Sequence, residues 1–127
     1  MVRATLVKDW IELGRRLTEA LDRANFEVVA SFWFYDQESD EWRLIIASPI
    51  VDEEGPLEAY RTIQRVLGEL DYGELSLNDI SVVSPTHDLV SLLRIAFHTG
   101  NGISGIRFTR NRINDQFIED AYIYRVM

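Results

Sequence analysis

The chain contains no cysteine. That excludes disulfides, thiolate nucleophiles and cysteine-ligated zinc. There are two histidines and one lysine, Lys8, among the thirteen Lys and Arg residues. No H-E-x-x-H, G-x-S-x-G or P-loop string occurs, so the usual zinc-hydrolase, serine-hydrolase and nucleoside-triphosphate signatures are missing. No apolar run reaches the ~18 residues of a membrane-spanning helix. Lys8, Asp9 and Glu12 interrupt the N-terminal apolar residues, so no signal-peptide core is expected there. These absences lead to the expectation of a cytoplasmic protein with no membrane partner and no bound cofactor.

Basic charge is also scarce. Thirteen basic residues against twenty-one acids leave a net charge of −8 over 127 residues. Residues 36–79 hold twelve of those acids and three arginines. By contrast, the stretch from Arg94 to Arg112 has four arginines, His98 and no acid. An acidic total speaks against nucleic acid as a partner, because such binding rests on neutralising phosphates. A local basic stretch remains available for one anion or an acidic partner. The dominance of Arg over Lys reads as genome composition rather than as a preference for bidentate ion pairs.

What is present is enough for one domain spanning residues 1–127, with 46% hydrophobic residues to build its core. Leu6, Trp10, Leu13, Leu17, Leu21 and Ala24 recur at steps of three and four, which predicts an amphipathic helix. Asn25 stands where such a helix takes a left-handed stop. The segment FEVVASFWFYDQESDEWRLIIASPIV reads as a hairpin: Phe26–Tyr35, a polar turn Asp36–Asp40, then Glu41–Ala47. Strict alternation puts Phe26, Val28, Ala30, Phe32 and Phe34 on one face. Val29, Ser31, Trp33 and Tyr35 fall on the other. Both faces hold large apolar groups, so both are expected to be covered.

Pro56 opens a second helix with Tyr60, Ile63, Leu67 and Leu70 as its stripe, ended by Asp71–Gly73. A third strand over Asp79–Ser84 follows. Thr86 or Asp88 then caps a third helix bearing Leu89, Leu92, Leu93, Ala96 and Phe97. The chain closes with a hairpin, Ser104–Ile113 and Gln116–Val126, around Asn114-Asp115. That turn sets Ile106 opposite Ile123, Arg107 opposite Tyr122, Phe108 opposite Ala121 and Arg110 opposite Glu119. The order is α-β-β-α-β-α-β-β. It predicts an α+β fold: a mixed, mainly antiparallel sheet of five strands with three helices chiefly on one face. LIIASP (Leu44–Pro49) and SVVSP (Ser81–Pro85) both end a strand in Ser-Pro before a helix. They suggest β-α-β crossovers that would make strands two, three and four parallel neighbours.

Three groups of residues are candidates for function. Gly100 to Gly105 spell G-x-G-x-x-G, but they follow a helix where dinucleotide chemistry needs them to precede one. Gly100 reads instead as a helix stop. An anion nest formed by Gly102 and Gly105 with Arg107, Arg110 and Arg112 is the surviving alternative, against the ordinary reading of arginines on a solvated face. His98 reads as a polar residue at the end of the third helix.

The second group is Asp52, Glu53, Glu54, His87 and Asp88. Parallel strands would bring them to one edge, where carboxylates and histidine bind a divalent metal or act as acid and base. Their ordinary reading, as caps and first-turn acids of two helices, is preferred. The third group, Trp33, Tyr35 and Trp42, reads either as core or as an aromatic interface. Taken together, the sequence favours a non-catalytic interaction module that forms a homo-oligomer, a dimer, or meets a protein partner, through an aromatic sheet face or a strand edge. The alternative is a small enzyme or ligand-binding domain using the acidic and histidine edge.

Overall fold

A computed structural model describes residues 6–69 and 75–127. Its elements are α1 (Lys8–Arg23), β1 (Ala30–Asp36), β2 (Glu41–Ala47), α2 (Ile50–Glu54), α3 (Pro56–Glu69), β3 (Ile80–Val83), α4 (Asp88–Ala96), β4 (Ile106–Ile113) and β5 (Gln116–Val126). A single 3-10 turn, Leu77–Asp79, leads into β3. Leu70 and the expected stop at Asp71–Gly73 lie outside the described residues.

The five strands form one sheet in the order β3-β2-β1-β5-β4. The pair β2–β3 is parallel and the other pairs are antiparallel. The fold is therefore the α+β, mainly antiparallel arrangement expected from the sequence. The echo of strand and Ser-Pro holds for one crossover only. β3 runs parallel beside β2, but β4 lies at the opposite edge, beside β5.

Helices α1 and α3 lie on one face. Trp10, Leu17 and Leu21 of α1 and Ala59, Ile63 and Val66 of α3 share a buried cluster with Trp33, Leu44 and Ile46. Helix α4 covers the other face, where Val90 and Leu93 pack on Ala30, Phe32, Ile45 and Ile123. Both faces of the first hairpin are thus covered, as its two apolar faces require.

Helix α1 ends as its sequence dictates. Asn25 takes φ +59. Its N–H donates to the Asp22 carbonyl at 3.1 Å, and the Phe26 N–H donates to the Leu21 carbonyl at 3.0 Å. This is a Schellman stop with Asn in the left-handed position. It also corrects the first strand. Strand β1 begins at Ala30, so alternation does not run back through Phe26 and Val28, and both join the α1 side with Trp33.

Two irregularities shape the second hairpin. On β5, Phe32 faces Ile123 but Ser31 faces Arg125, which leaves Tyr124 as an extra residue. This β-bulge turns two successive side chains, Tyr124 and Arg125, toward α1. On β4 the expected register holds at Ile106, Arg107 and Phe108. Arg110, however, takes φ +43 and drops out of the ladder opposite Glu119. Beyond it the alternation reverses: Ile113 and Ile118 join the α4-side cluster.

Candidate functional site

The parallel register of β2 and β3 sets Ala47 opposite Val83, so the two Ser-Pro ends meet. The Ser48 N–H donates to the Val83 carbonyl at 3.1 Å. The Ser84 hydroxyl donates to Asp52 Oδ2 at 2.8 Å and lies 2.9 Å from Thr86 Oγ1. Asp52 is thereby spent as a brace between α2 and the loop that follows β3. Glu53 and Glu54 are exposed on the short helix α2. His87 caps α4: its Nδ1 accepts the Leu89 N–H at 3.1 Å. In that bond Nδ1 serves as the acceptor, which leaves Nε2 as the ring's donor. Among the described residues, no group of three or more His, Asp or Glu side chains is placed to hold a metal ion. Asp52 and Asp88 stand as first-turn acids of α2 and α4, and His87, rather than the expected Thr86 or Asp88, caps α4.

His87 and Asp88 instead meet apolar residues. With Phe34, Leu89, Leu92 and Gln116 they line a cleft of about 550 Å³. It opens between the start of α4 and the end of the β4–β5 hairpin. The cleft arises because one helix of nine residues covers this face of the sheet. Phe34, Leu89, Leu92, Phe97, Ile106 and Phe108 stay only partly buried on this side of the sheet. Phe97 meets Phe108 edge-on, with ring centroids 5.5 Å apart. This phenylalanine set is the aromatic surface that the sequence reading missed. Alternation separates Phe34 from Trp33 and Tyr35, but it does not say which face lies under more helix.

The tryptophans lie on the better-covered face. Trp33 is fully buried and Trp42 is 4% exposed within a single chain. As core residues they have no surface to offer a partner, and of the trio only the Tyr35 ring, 5.5 Å from Trp42, is partly accessible. The reason is α1, which lays Trp10 edge-on against Trp33 at 5.5 Å. Tyr35 donates its hydroxyl to Asp40, and that bond raises its pKa.

The glycine loop is occupied by backbone pairing. Helix α4 stops at Ala96, and Phe97 is already extended. Gly100 therefore takes its φ of +71 beyond the helix, and His98 also lies past its end. The Thr99 and Ser104 N–H groups donate to the Val126 and Tyr124 carbonyls at 2.8 and 2.7 Å, and the Gly102 carbonyl accepts from Arg125 Nε at 3.0 Å. Gly105 lets Tyr122 approach, since its hydroxyl lies 2.5 Å from where a Cβ would stand.

Arg107 does not reach back to this loop. It grips Asp120 with Nε at 2.7 Å and Nη2 at 2.6 Å, and its guanidinium stands 5.8 Å from the Trp42 ring. Burial works to raise the Asp120 carboxyl, but the bonds from Arg107 and Thr109 outweigh it and hold the group below its ordinary value. The strand pair expected at Arg110–Glu119 is thus replaced by Arg107–Asp120. A nest needs free amides and a free cation. The Ser104 amide and Arg107 are both committed.

No helix among the described residues is long and apolar enough to cross a membrane. No protein-family model, no curated protein and no solved structure matches the chain.

Proposed function

We propose that this chain is a non-catalytic interaction module that pairs with a second copy of itself across the α4 side of its sheet. The observation that supports this reading is the incompletely covered phenylalanine face: Phe34, Phe97 and Phe108, with Leu89, Leu92 and Ile106, stay partly buried on the α4 side, and Phe34, Leu89 and Leu92 of this set line the cleft beside that helix. The apolar area these groups still expose gains free energy in proportion to how much of it a partner removes from water, and aromatic residues are enriched in interface cores. A two-fold contact also buries the same patch on both copies at once.

Sedimentation velocity from about 5 to 500 µM tests it, because association responds to protomer concentration. The expected result is a mass rising toward that of two chains. Ile95→Arg and Leu92→Arg should each weaken the pairing. Ile95 is 57% exposed, so its replacement leaves the fold intact. A single-chain mass throughout would overturn the proposal.

The cleft supports a second reading, a ligand site in the same place. Its volume falls within the roughly 300–1,000 Å³ of small-molecule pockets. The His87 Nε2–H and the Asp88 carboxylate offer a donor and an acceptor at an apolar cavity. The matching ligand has an apolar body and a polar end. Thermal melts against a panel of such metabolites and divalent metals test it. If none raises the melting temperature, or if His87→Ala leaves an observed rise unchanged, this reading fails.

A further inference from the structure

We infer that the outer edge of β4 is a docking strand for an acidic segment of another protein, which adds in extended form as a sixth strand. Three observations converge on this edge. The first is that the other edge of the sheet is closed. Strand β3 has four residues; the Tyr60 hydroxyl accepts its Val82 N–H at 3.0 Å, and Arg43 donates to its Ile80 carbonyl at 3.0 Å and its Ser81 hydroxyl at 2.8 Å. Such covering is how folded proteins blunt an edge. Strand β4 is twice as long, with eight residues, and among the described residues no strand lies beyond it.

The second observation is the state of its charges. Arg107 is neutralised by Asp120. Arg110 and Arg112 have no carboxylate partner among the described residues; Arg112 lies 5.9 Å from the Phe117 ring and donates to the Asp115 carbonyl. In a chain of net charge −8, this edge presents two uncompensated guanidinium groups. The third observation is where the backbone remains usable. Asn111 Oδ1 takes the Arg112 N–H at 2.8 Å, so pairing stops before that residue. The docking stretch is Ile106 to Arg110.

Charge also selects the occupant. Two β4 edges brought together around a two-fold would set the arginines of one copy against those of the other, and like charges facing across strands are destabilising. The same arginines that oppose a second copy of β4 favour a strand carrying Asp or Glu. This site lies at the sheet edge and does not depend on pairing through the α4 face.

The test uses a dye-labelled peptide of about eight residues alternating valine and glutamate, the length of an ordinary strand. Fluorescence anisotropy should show saturable binding. Binding should weaken at least about tenfold between 50 and 500 mM salt, as screening of exposed charges requires. Arg110→Gly combined with Arg112→Gln should weaken it at least as much. Arg110→Gly suits the backbone there, so the variant stays folded, which a thermal melt verifies. Amide shifts in a nitrogen-15 spectrum should gather on Ile106 to Arg110. Three results would overturn the proposal: equal binding of the same peptide N-methylated at alternate amides, equal binding of its lysine counterpart, or tighter binding of a single-stranded oligonucleotide of matched charge. The first would mean attraction without strand pairing, and the last would assign the edge to polyanions.

Discussion

The Trp33 indole N–H donates to the Tyr124 hydroxyl oxygen at 3.0 Å, joining β1 to the bulge of β5 across 91 positions of sequence. The Tyr124 hydroxyl in turn donates to the Ile11 carbonyl of α1. Strand, bulge and helix are thus tied by one phenol. Tyr124→Phe leaves the Trp33 donor unpaired inside the core and should lower unfolding free energy by about 1–3 kcal/mol. Burial pushes the Tyr124 pKa upward from 10.0. A raised acid pKa means that the folded state resists ionisation that the unfolded state accepts. The contribution is therefore whole below pH 10 and is lost as pH rises above it. Urea titrations between pH 8 and about 11.5 should show wild-type stability falling more steeply than that of Tyr124→Phe.

Gly14 makes room for that junction. A Cβ there would stand 2.6 Å from Trp33 Nε1 and closer still to the Tyr124 hydroxyl. On an exposed helix, Gly→Ala gains about 1 kcal/mol. Here the clash reverses the sign, and Gly14→Ala should cost about 1–3 kcal/mol as overpacking. A melting temperature above wild type would contradict this account.

The bulge also aims Arg125 at α1. Arg125 is 3% exposed and holds both oxygens of Asp22, at 2.9 and 2.8 Å, along with the Val28 and Gly102 carbonyls. Asp22→Ala strands a buried guanidinium. A fully buried pair broken this way costs roughly 3–5 kcal/mol. Because the Asp22 side chain is 39% exposed, water can partly replace it, and the expected loss is about 2 kcal/mol. Arg125→Lys should not rescue the site, because an ammonium cannot span both oxygens and two carbonyls.

Arg110 is a non-glycine residue held at φ +43. Left-handed backbone costs an ordinary L residue roughly 1–2 kcal/mol, and glycine has no such penalty but loses more chain entropy on folding. Arg110→Gly should therefore raise stability by about 0.5 kcal/mol. Denaturant midpoints will read the sign directly.

The two buried tryptophans of the sheet, Trp33 and Trp42, should differ in tolerance. Trp42 Nε1 has no hydrogen-bond partner, whereas Trp33 Nε1 has Tyr124. Trp42→Phe removes an unsatisfied donor along with some packing, so the two effects nearly offset and the change should stay within about 1 kcal/mol. Trp33→Phe loses packing and a bond, and should cost about 2–3 kcal/mol. Equal losses at both positions would mean that the orphan N–H carries no penalty.

Much of the secondary structure was legible because its causes are local. The 3.6-residue stripe of α1, the stop at Asn25, the turn and second strand of the first hairpin, and the Asn114-Asp115 turn with its register at Ile106 to Phe108 follow from neighbours in sequence. The candidate site was less legible. Asp52 and Ser84 could be brought to one edge by argument, since parallel pairing of two Ser-Pro strands implies it. That Asp52 would be consumed there, and that His87 would turn its Nδ1 to a helix cap, are matters of side-chain geometry.

Alternation sorts Phe32 and Phe34 from Trp33 and Tyr35, and so determines that two apolar faces exist. Only the tertiary structure decides that α1 and α3 cover one of them and that, among the described residues, α4 is the helix on the other. The bulge at Tyr124 and the left-handed Arg110 each shift alternation partway along a strand, and neither leaves a mark in the residue pattern. Propensity and periodicity act over a few residues. The choice of sheet neighbour, covered face and exposed edge depends on what the rest of the chain can bury at the same time.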